Sequence, residues 1–308
     1  MAPIVRTVRG DVDPADLGIT LCHEHVIVDA REGFADPDIY LDDPEEVAED
    51  LREAARYGLR TVVDVTNVGM HRRPLAVRRV AELSGLHVVA GAGFYHGHFL
   101  PDYVHEMDVD ELAASIVREV EVGIEDSGVR AGVIGEVGAS EGGLTPTERR
   151  LFLATGQAQR LTGAPVVTHT ALGQQAMEQL DLLEDGGADP TKVLVGHMDC
   201  NLDLAAHLAV AERGAFVGID RINARKYPWD DKRVELVLGL AERGYAGRVI
   251  LSHDLSRKSR LLKNGGTGYG FILREFVPAL RRAGADDNLL HLILVENPCH
   301  LLAFAPRQ

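Results

Sequence analysis

Two histidines one residue apart, His23 and His25, end an apolar run that predicts a buried strand. Alternate side chains of a strand point the same way, so the two imidazoles share one face and Glu24 faces away. Two imidazoles at this spacing suit one divalent metal ion. Two buried histidines bonded to backbone carbonyls are the competing structural interpretation. Four further residues, each ending an apolar run of its own, favour the metal interpretation: Glu136, His169, His197 and Asp254.

Short β-branched runs alternate along the chain with longer amphipathic stretches. The eight runs that predict strands are 18–26, 59–67, 86–94, 130–137, 164–170, 192–199, 215–221 and 248–254. The stretches between them that predict helices are 44–57, 74–83, 109–125, 146–161, 174–183, 204–213 and 231–243. Strands that are apolar on both faces and alternate with helices indicate a parallel sheet with helices outside. Eight such units fit a closed α/β barrel of the (β/α)₈ TIM type, and a doubly wound open sheet is the main alternative.

The chain of 308 residues shows no linker or low-complexity segment, which predicts one domain over 1–308. Its tail predicts two helices, 271–282 and 286–304, that pack on the barrel. A formal net charge of −15 argues against nucleic acid or an anionic membrane as a partner, because both require positive patches. We find no apolar run of transmembrane length and no signal peptide.

Three scattered cysteines indicate reduced thiols and a cytoplasmic protein. Cys22 and Cys200 lie beside candidate ligands, so thiolate ligation stays open, although neither belongs to a Cys-x-x-Cys pair.

All six candidate ligands fall at the carboxyl ends of predicted strands, where the active sites of such barrels lie. Four histidines and two carboxylates are too many for one tetrahedral zinc ion. They suit two divalent ions that share a bridging carboxylate and a bridging hydroxide, which would attack a carbonyl or phosphoryl centre. We expect Asp254 to bind one ion, to accept the proton of the attacking water and to pass it to the leaving group.

Several stretches in chain order carry a family resemblance. They are 20–25 (TLCHEH), 217–221 (VGIDR), 231–233 (DKR), 243–245 (RGY), 251–254 (LSHD) and 296–298 (ENP). Together with the histidines on the fifth and sixth strands, they resemble the phosphotriesterase-like proteins of the amidohydrolase superfamily. The resemblance implies a TIM-type barrel, a binuclear centre that holds Zn²⁺ or alternatively Mn²⁺, Co²⁺ or Fe²⁺, and hydrolase chemistry. A homodimer is common where the fold looks like this one.

One position departs from the pattern of many family members, which bridge their metals with a carboxylated lysine on the fourth strand. Here the matching residue is Glu136, as in the phosphotriesterase homology protein branch that the chain is similar to. Glutamate supplies a bridging carboxylate without carbon dioxide. The departure favours a carboxylic ester or lactone as substrate over a phosphotriester, with an N-acyl amide or weak phosphoester hydrolysis as alternatives.

A reversal of charge in the last two loops predicts a small-molecule substrate with an anionic group. The cations concerned are Arg221, Arg225, Lys226, Arg257, Lys258, Arg260 and Lys263. Arg221 follows its strand directly and is the first candidate, while Tyr95 and His96 follow the third strand and are expected to wall the pocket. A solvated loop paired with surface acids is the competing interpretation.

Two other classes of function stay open from the sequence. A binding barrel without turnover would show ligand-induced stabilisation and no product in a hydrolysis screen. A deaminase or lyase with one metal would show a single equivalent of metal per chain.

Overall fold

The computed structural model describes residues 2–224 and 229–306. Within these residues, eight strands form one sheet in which all paired neighbours run parallel. They are β1 (Ile19–Glu24), β2 (Leu59–Asp64), β3 (His87–Ala92), β4 (Val133–Gly138), β5 (Val166–His169), β6 (Val193–Gly196), β7 (Phe216–Ile219) and β8 (Val249–Leu251). Each strand pairs with the next along the chain. The predicted strands therefore exist, and most are shorter than predicted because their last residues turn into the site.

The sheet closes between β8 and β1 through bonds beyond the strand ends. The backbone N–H of Asp254 donates to the carbonyl of His23 at 3.1 Å, and that of His25 donates to the carbonyl of Leu255 at 3.3 Å. The fold is thus a (β/α)₈ barrel and not an open doubly wound sheet.

Helices connect consecutive strands and cover the outside of the barrel. Those of the described residues that follow β1 to β7 in turn are α1 (Pro44–Ala55), α2 (Pro74–Ser84), α3 (Val109–Glu121), α4 (Pro146–Thr162), α5 (Ala176–Asp185), α6 (Leu204–Glu212) and α7 (Asp230–Glu242). Proline opens α1, α2 and α4 in the first turn, where its missing N–H has no helical partner. Asp108 and Thr145 form capping boxes with Glu111 and Glu148, which fixes where α3 and α4 begin.

A cluster of buried residues fills the barrel below the strand ends. It takes one side chain from each strand: Cys22, Val63, Val89, Val133, Val167, Leu194, Phe216 and Ile250. Leu17, Leu301 and Leu302 belong to the same cluster and cover its amino-terminal end. The barrel is therefore solid at this end, which leaves the carboxyl ends of the strands for a site.

The C-terminal helices follow the prediction with one difference. Two π-helical segments, Ile272–Phe276 and Leu292–Glu296, each lead into an α-helical segment, Val277–Arg282 and Asn297–Leu302. Pro298 lies in the first turn of the last segment, where the π-helical pitch changes to the α-helical pitch. None of the described helices has the length and apolarity needed to cross a bilayer.

Candidate metal centre

The carboxylate of Glu136 lies between four imidazoles at the carboxyl end of the barrel. Its Oε1 is 3.4 Å from Nε2 of His25, and its Oε2 is 3.2 Å from Nε2 of His23. The same Oε2 is 3.0 Å from Nδ1 of His169 and 3.7 Å from Nε2 of His197. One carboxylate therefore faces two pairs of histidines, one from β1 and the other from β5 and the end of β6, which is the arrangement of a bridging ligand.

Asp254 completes the side of the centre that β1 provides. Its Oδ1 is 3.2 Å from Nε2 of His25, and its Oδ2 is 2.7 Å from Nη1 of Arg221. Burial alone would raise the pKa of this carboxyl, but the Arg221 guanidinium first, and then His25, hold it well below its usual range. The structure thus brings all six predicted ligands together, with Asp254 ionised.

The backbone leaves regular geometry at the ligands. The register of β1 against β2 shifts between Leu21 and Glu24, and that of β4 against β5 shifts between Ile134 and Val137. His197 and Asp254 both have positive φ, at 60° and 51°, which side chains other than glycine rarely adopt. Such conformations cluster at functional sites, where surrounding structure enforces them.

Gly135 shows why a residue without a side chain precedes Glu136. Its φ is +126°, and a Cβ at this position would lie 2.1 Å from the carbonyl oxygen of Val167. The Gly135–Glu136 peptide bond is cis. Glycine is therefore required for β4 to approach β5 this closely while Glu136 points into the barrel.

Asp220 orients two of the four histidines. Its Oδ2 is 3.0 Å from Nδ1 of His23, and its Oδ1 is 2.8 Å from Nδ1 of His197. The contact with His197 is a hydrogen bond, and a carboxylate that accepts from Nδ1 fixes the tautomer in which Nε2 carries a free lone pair. The contact with His23 is at ion-pair distance without hydrogen-bond geometry. A Cβ on Gly218 would lie 2.6 Å from Oδ2 of Asp220, so glycine there leaves room for the carboxylate.

Sequence reasoning missed the role of Asp220, although a signal was present. Asp220 follows an aliphatic strand directly, just as Asp254 comes shortly after β8. Asp220 lies within 4.8 Å of ligand atoms of His23 and His197, but it faces their Nδ1 atoms and Glu136 faces their Nε2 atoms. It is therefore a positioning residue behind the ligands.

The third oriented histidine, His25, is held through a hydroxyl group. Its Nδ1 is 2.9 Å from Oγ1 of Thr66, which in turn donates to Oδ1 of Asp64 at 2.6 Å. Because the Thr66 hydroxyl hydrogen is used on Asp64, its oxygen accepts from His25. Nε2 of His25 is consequently left with a lone pair that points at Glu136 and Asp254.

The orientation of these imidazoles is the observation that fits a metal. Nε2 of His23 and Nε2 of His25 each point at carboxylate oxygens, so a positive charge, from a bound proton or from a metal ion, must lie between them. Burial lowers the pKa of His25, but hydrogen bonds to Asp254 and Glu136 outweigh it and raise that pKa to about 9. Histidine and carboxylate donors at such spacing suit divalent ions, and the groups within 4.8 Å include His23, His25 and Glu136, and separately Glu136, His169 and His197.

A cavity of about 750 Å³ opens directly above the centre. Its lining includes the apolar side chains Val28, Phe34, Ile39, Met70 and Leu172. Tyr95 and His96 also line the cavity, as predicted, and the Tyr95 hydroxyl lies 3.0 Å from Nδ1 of His169. Burial, followed by the nearby His169, lowers the pKa of His96 to about 3, so this ring is neutral. The volume is that of a small-molecule site.

The predicted substrate cations differ in their placement. Arg221 and Arg257 line the cavity, and Arg257 also lies 3.1 Å from Oδ2 of Asp36. Lys258 lies 3.9 Å from Oδ1 of Asp42, outside the lining of the cavity as the described residues define it. Arg225 and Lys226 fall outside the described residues.

The two cysteines beside the ligands have no place in the metal groups of the described residues. Cys22 is fully buried in the barrel interior, and burial, with Glu24 nearby, raises the pKa of its thiol. Cys200 lines the cavity, but burial, followed by Asp199, raises its pKa to about 12. Both are therefore thiols and not thiolates at neutral pH.

Comparison with known proteins agrees with this geometry. Residues 3–302 match the model of the phosphotriesterase family. The phosphotriesterase homology protein of Escherichia coli is 37% identical over 91% of this chain and 96% of its own. Its crystal structure, with phosphate in the active site, superposes with a TM-score of 0.91 over 94% of this chain and 100% of that chain.

Two further relatives carry names that state an activity. The N-acetyltaurine hydrolase of Homo sapiens is 30% identical, over 97% of this chain and 98% of its own. A lactonase from Listeria monocytogenes is 29% identical and has a TM-score of 0.92, over 98% of this chain and 99% of that chain.

The barrel and the buried ligand cluster define a metal-dependent hydrolase of the TIM-barrel type. Within that class, the chain belongs to the phosphotriesterase family, as the match over nearly its whole length shows.

Proposed function

We propose that this hydrolase cleaves a carboxylic ester or lactone of a small substrate that carries an anionic group. The observation that carries the proposal is the position of Glu136, whose two oxygens face different histidines at the floor of the cavity. A centre of this form binds two divalent ions. Zn²⁺ suits the ligand set best, while Mn²⁺, Co²⁺ and Fe²⁺ also accept histidine and carboxylate.

The ligands divide into two sets that share one residue. His23, His25 and Asp254 would hold one ion, His169 and His197 the other, and Glu136 would bind both. When bound, the two ions supply a water activated at neutral pH and polarise the carbonyl oxygen of the substrate. Asp220 and Thr66 keep the imidazoles of this chain in the ligating tautomer.

Asp254 acts as the proton acceptor and donor. It is ionised because Arg221 and His25 stabilise its charge, so it accepts the proton that the attacking water loses. A carboxyl with a depressed pKa is a strong acid once protonated, and it returns the proton readily to the departing alkoxide. In a lactone this step opens the ring to a hydroxy acid.

The walls of the cavity support a substrate with one apolar part and one anionic part. Phe34, Ile39 and Met70 face one side, and Arg221 and Arg257 lie among the residues of the last two loops. Tyr95 and His96 complete the wall above β3, where we propose that they contact the substrate.

An N-acyl amide is the second candidate substrate class, because several relatives are named N-acetyltaurine hydrolase and cover nearly the whole chain. An amine is a poorer leaving group than an alkoxide, so this reaction depends more strongly on proton donation by Asp254.

A hydrolysis screen on metal-loaded protein tests the proposal. It compares γ-lactones, 4-nitrophenyl esters, N-acyl amino acids and a phosphotriester, with and without a chelator. We expect the highest kcat/KM for a lactone or ester with a carboxylate, and loss of activity on chelation. A preference for N-acyl amides would replace the first candidate by the second, and no metal-dependent product from any class would reject both.

A further inference from the structure

Arg260 lines the cavity and differs from the other cations around it. Arg221 lies 2.7 Å from a carboxylate oxygen of Asp254, and Arg257 lies 3.1 Å from one of Asp36. Among the described residues, no carboxylate oxygen lies within 4.0 Å of the nitrogens of Arg260. The stretch 225–228, which lies outside the described residues, contains no acidic residue that would provide one.

Backbone carbonyls hold the head group of Arg260 in place. Nη1 donates to the carbonyl of His253 at 3.1 Å and, less closely, to that of Asp254 at 3.4 Å. Nη2 donates to the carbonyl of Ile222 at 3.2 Å. Nε is buried and has no hydrogen-bond partner among the described residues. The guanidinium is thus fixed between the ends of β7 and β8, and none of the described residues places an anion in contact with its charge.

The surroundings make this charge costly in the absence of a ligand. Burial, first of all, lowers the pKa of Arg260, and the positive charges of Arg221 and Arg257 act in the same direction. The carboxylates of Glu24 and Asp254 oppose this, but from beyond contact distance. A bound anion would restore the balance, because a desolvated guanidinium is stabilised by a hydrogen-bonded negative partner.

We propose that Arg260 binds the anionic group of the substrate, a carboxylate, sulfonate or phosphate monoester, and makes the enzyme selective for anionic over neutral substrates. This inference rests on the hydrolysis proposed above. The N–H groups of Arg260 that donate to none of the three carbonyls lie in the plane of the guanidinium and match two oxygens of such an anionic group. Arg221 is engaged by Asp254 and Arg257 by Asp36, so they contribute positive potential around the site. Arg260 provides the charge that has no carboxylate partner within the part of the chain that the structure describes.

The competing explanation is that Arg260 only ties β7 to β8 through the three carbonyls. That role would affect all substrates equally, whereas anion binding affects only those that carry the charge. The two explanations are therefore separated by a matched pair of substrates, mono-4-nitrophenyl succinate and 4-nitrophenyl butyrate, which share the leaving group and the chain length but differ in the terminal carboxylate.

The experiment measures kcat/KM for both esters at constant ionic strength with metal-loaded Arg260→Gln, Arg260→Lys and the parent protein. In Arg260→Gln the ratio of anionic to neutral kcat/KM should fall about ten- to a hundredfold, the scale of one charge-assisted hydrogen bond. Arg260→Lys, which retains the charge, should keep an intermediate ratio. Arg213→Gln, which removes a positive charge paired with Asp181 and Glu184 at the end of α6, should leave the ratio unchanged.

An unchanged ratio in Arg260→Gln, with both esters still hydrolysed, would overturn the assignment, as would an equal loss for both esters. If the parent protein hydrolyses neither ester, the reaction proposed above fails for these esters and anion binding is measured directly. Sulfate should then raise the thermal midpoint of the metal-loaded parent more than that of Arg260→Gln, since any sulfate held by the metals is common to both. Equal stabilisation would refute the anion site.

Discussion

The Glu24 carboxylate lies 2.9 Å from Nδ1 of His253 and 2.8 Å from the backbone nitrogen of the same residue. It also accepts from the Ser252 hydroxyl at 2.8 Å and from the backbone N–H of Leu255 at 2.9 Å. The side chain between the two ligand histidines of β1 therefore binds the backbone on both sides of Asp254. Among the described residues, β1 and β8 form no regular hydrogen-bonded ladder. This carboxylate therefore fixes the distance between the candidate ligands at the ends of these two strands.

Glu24→Gln should lower kcat about ten- to a hundredfold, because an amide cannot accept all four hydrogen bonds and a shift of about 1 Å in Asp254 has an effect of this size. If Glu24 acts through Asp254, the substitution should cause no further loss of kcat in an Asp254→Asn background. The measurement is a double-mutant cycle on kcat, with metal content and thermal stability recorded for each variant. Multiplicative losses of kcat would show that Glu24 does not act through Asp254.

Asp254→Asn should retain the fold and lose at least about a hundredfold in kcat, the usual contribution of general acid–base assistance. The asparagine preserves the shape of the side chain and an oxygen for metal binding, but it cannot carry the proton. Circular dichroism and metal analysis should match those of the parent protein. Near-normal turnover in this variant would remove Asp254 from its assigned role.

Asp220→Asn should weaken metal binding about ten- to a hundredfold, since partners that orient ligand histidines contribute on this scale. Asparagine has only one side-chain oxygen, so it cannot place an acceptor beside Nδ1 of both His23 and His197. One imidazole therefore loses its fixed tautomer. Competition with a chromophoric chelator measures the affinity. Asp181→Asn, at an exposed ion pair, is the matched control, and equal affinities in the two variants would contradict the orienting role.

Asp64 gives the metal-free protein a specific dependence of stability on pH. Burial outweighs its hydrogen bonds to Thr66 and raises its pKa to about 6. Between about pH 4 and pH 6 the folded state holds a proton on Asp64 that the unfolded chain, with its ordinary pKa of about 4, has released. Protonation of Asp64 therefore stabilises the folded state fully below about pH 4, and this stabilisation is lost as the pH rises through about 6.

The asparagine in Asp64→Asn does not titrate, so this variant should lose stability relative to the parent as the pH falls. The difference in free energy of unfolding between the two proteins should change by up to about 3 kcal/mol between pH 7 and pH 4. Urea unfolding of both proteins from pH 4 to 7 measures it, with Asp185→Asn as an exposed control. A difference in free energy of unfolding that stays constant from pH 4 to 7 would contradict the raised pKa of Asp64.

Much of this architecture could be predicted from the sequence, because its signals are local. Alternating apolar runs and amphipathic stretches predict the barrel, and Pro44, Pro74 and Pro146 mark the starts of three helices. The six candidate ligands could be identified because each is a polar residue at the end of an aliphatic run. Seven of the eight strand ends were predicted too late along the chain, as at 248–254 against Val249–Leu251, since composition does not reveal where the ladder stops. The exception is β4, predicted to end at 137 and observed to end at Gly138.

The residues behind the ligands depend on contacts between distant parts of the chain. Glu24 meets His253 across 229 positions. Arg260 is distinguished from Arg221 and Arg257 only by having no carboxylate partner among the described residues. The register shifts in β1 and β4 likewise arise from packing between strands. No spacing rule within one segment contains this information.

The central claim is that Glu136 joins two metal ions, and metal content per chain tests it most directly. Plasma mass spectrometry on protein purified without added metal should find about two equivalents in the parent and in Glu141→Ala, which changes an exposed glutamate in the loop after β4. Glu136→Ala should fall to one equivalent or less, because both ions lose a shared ligand. One equivalent that does not change in Glu136→Ala, or no metal even after addition, would contradict the binuclear centre.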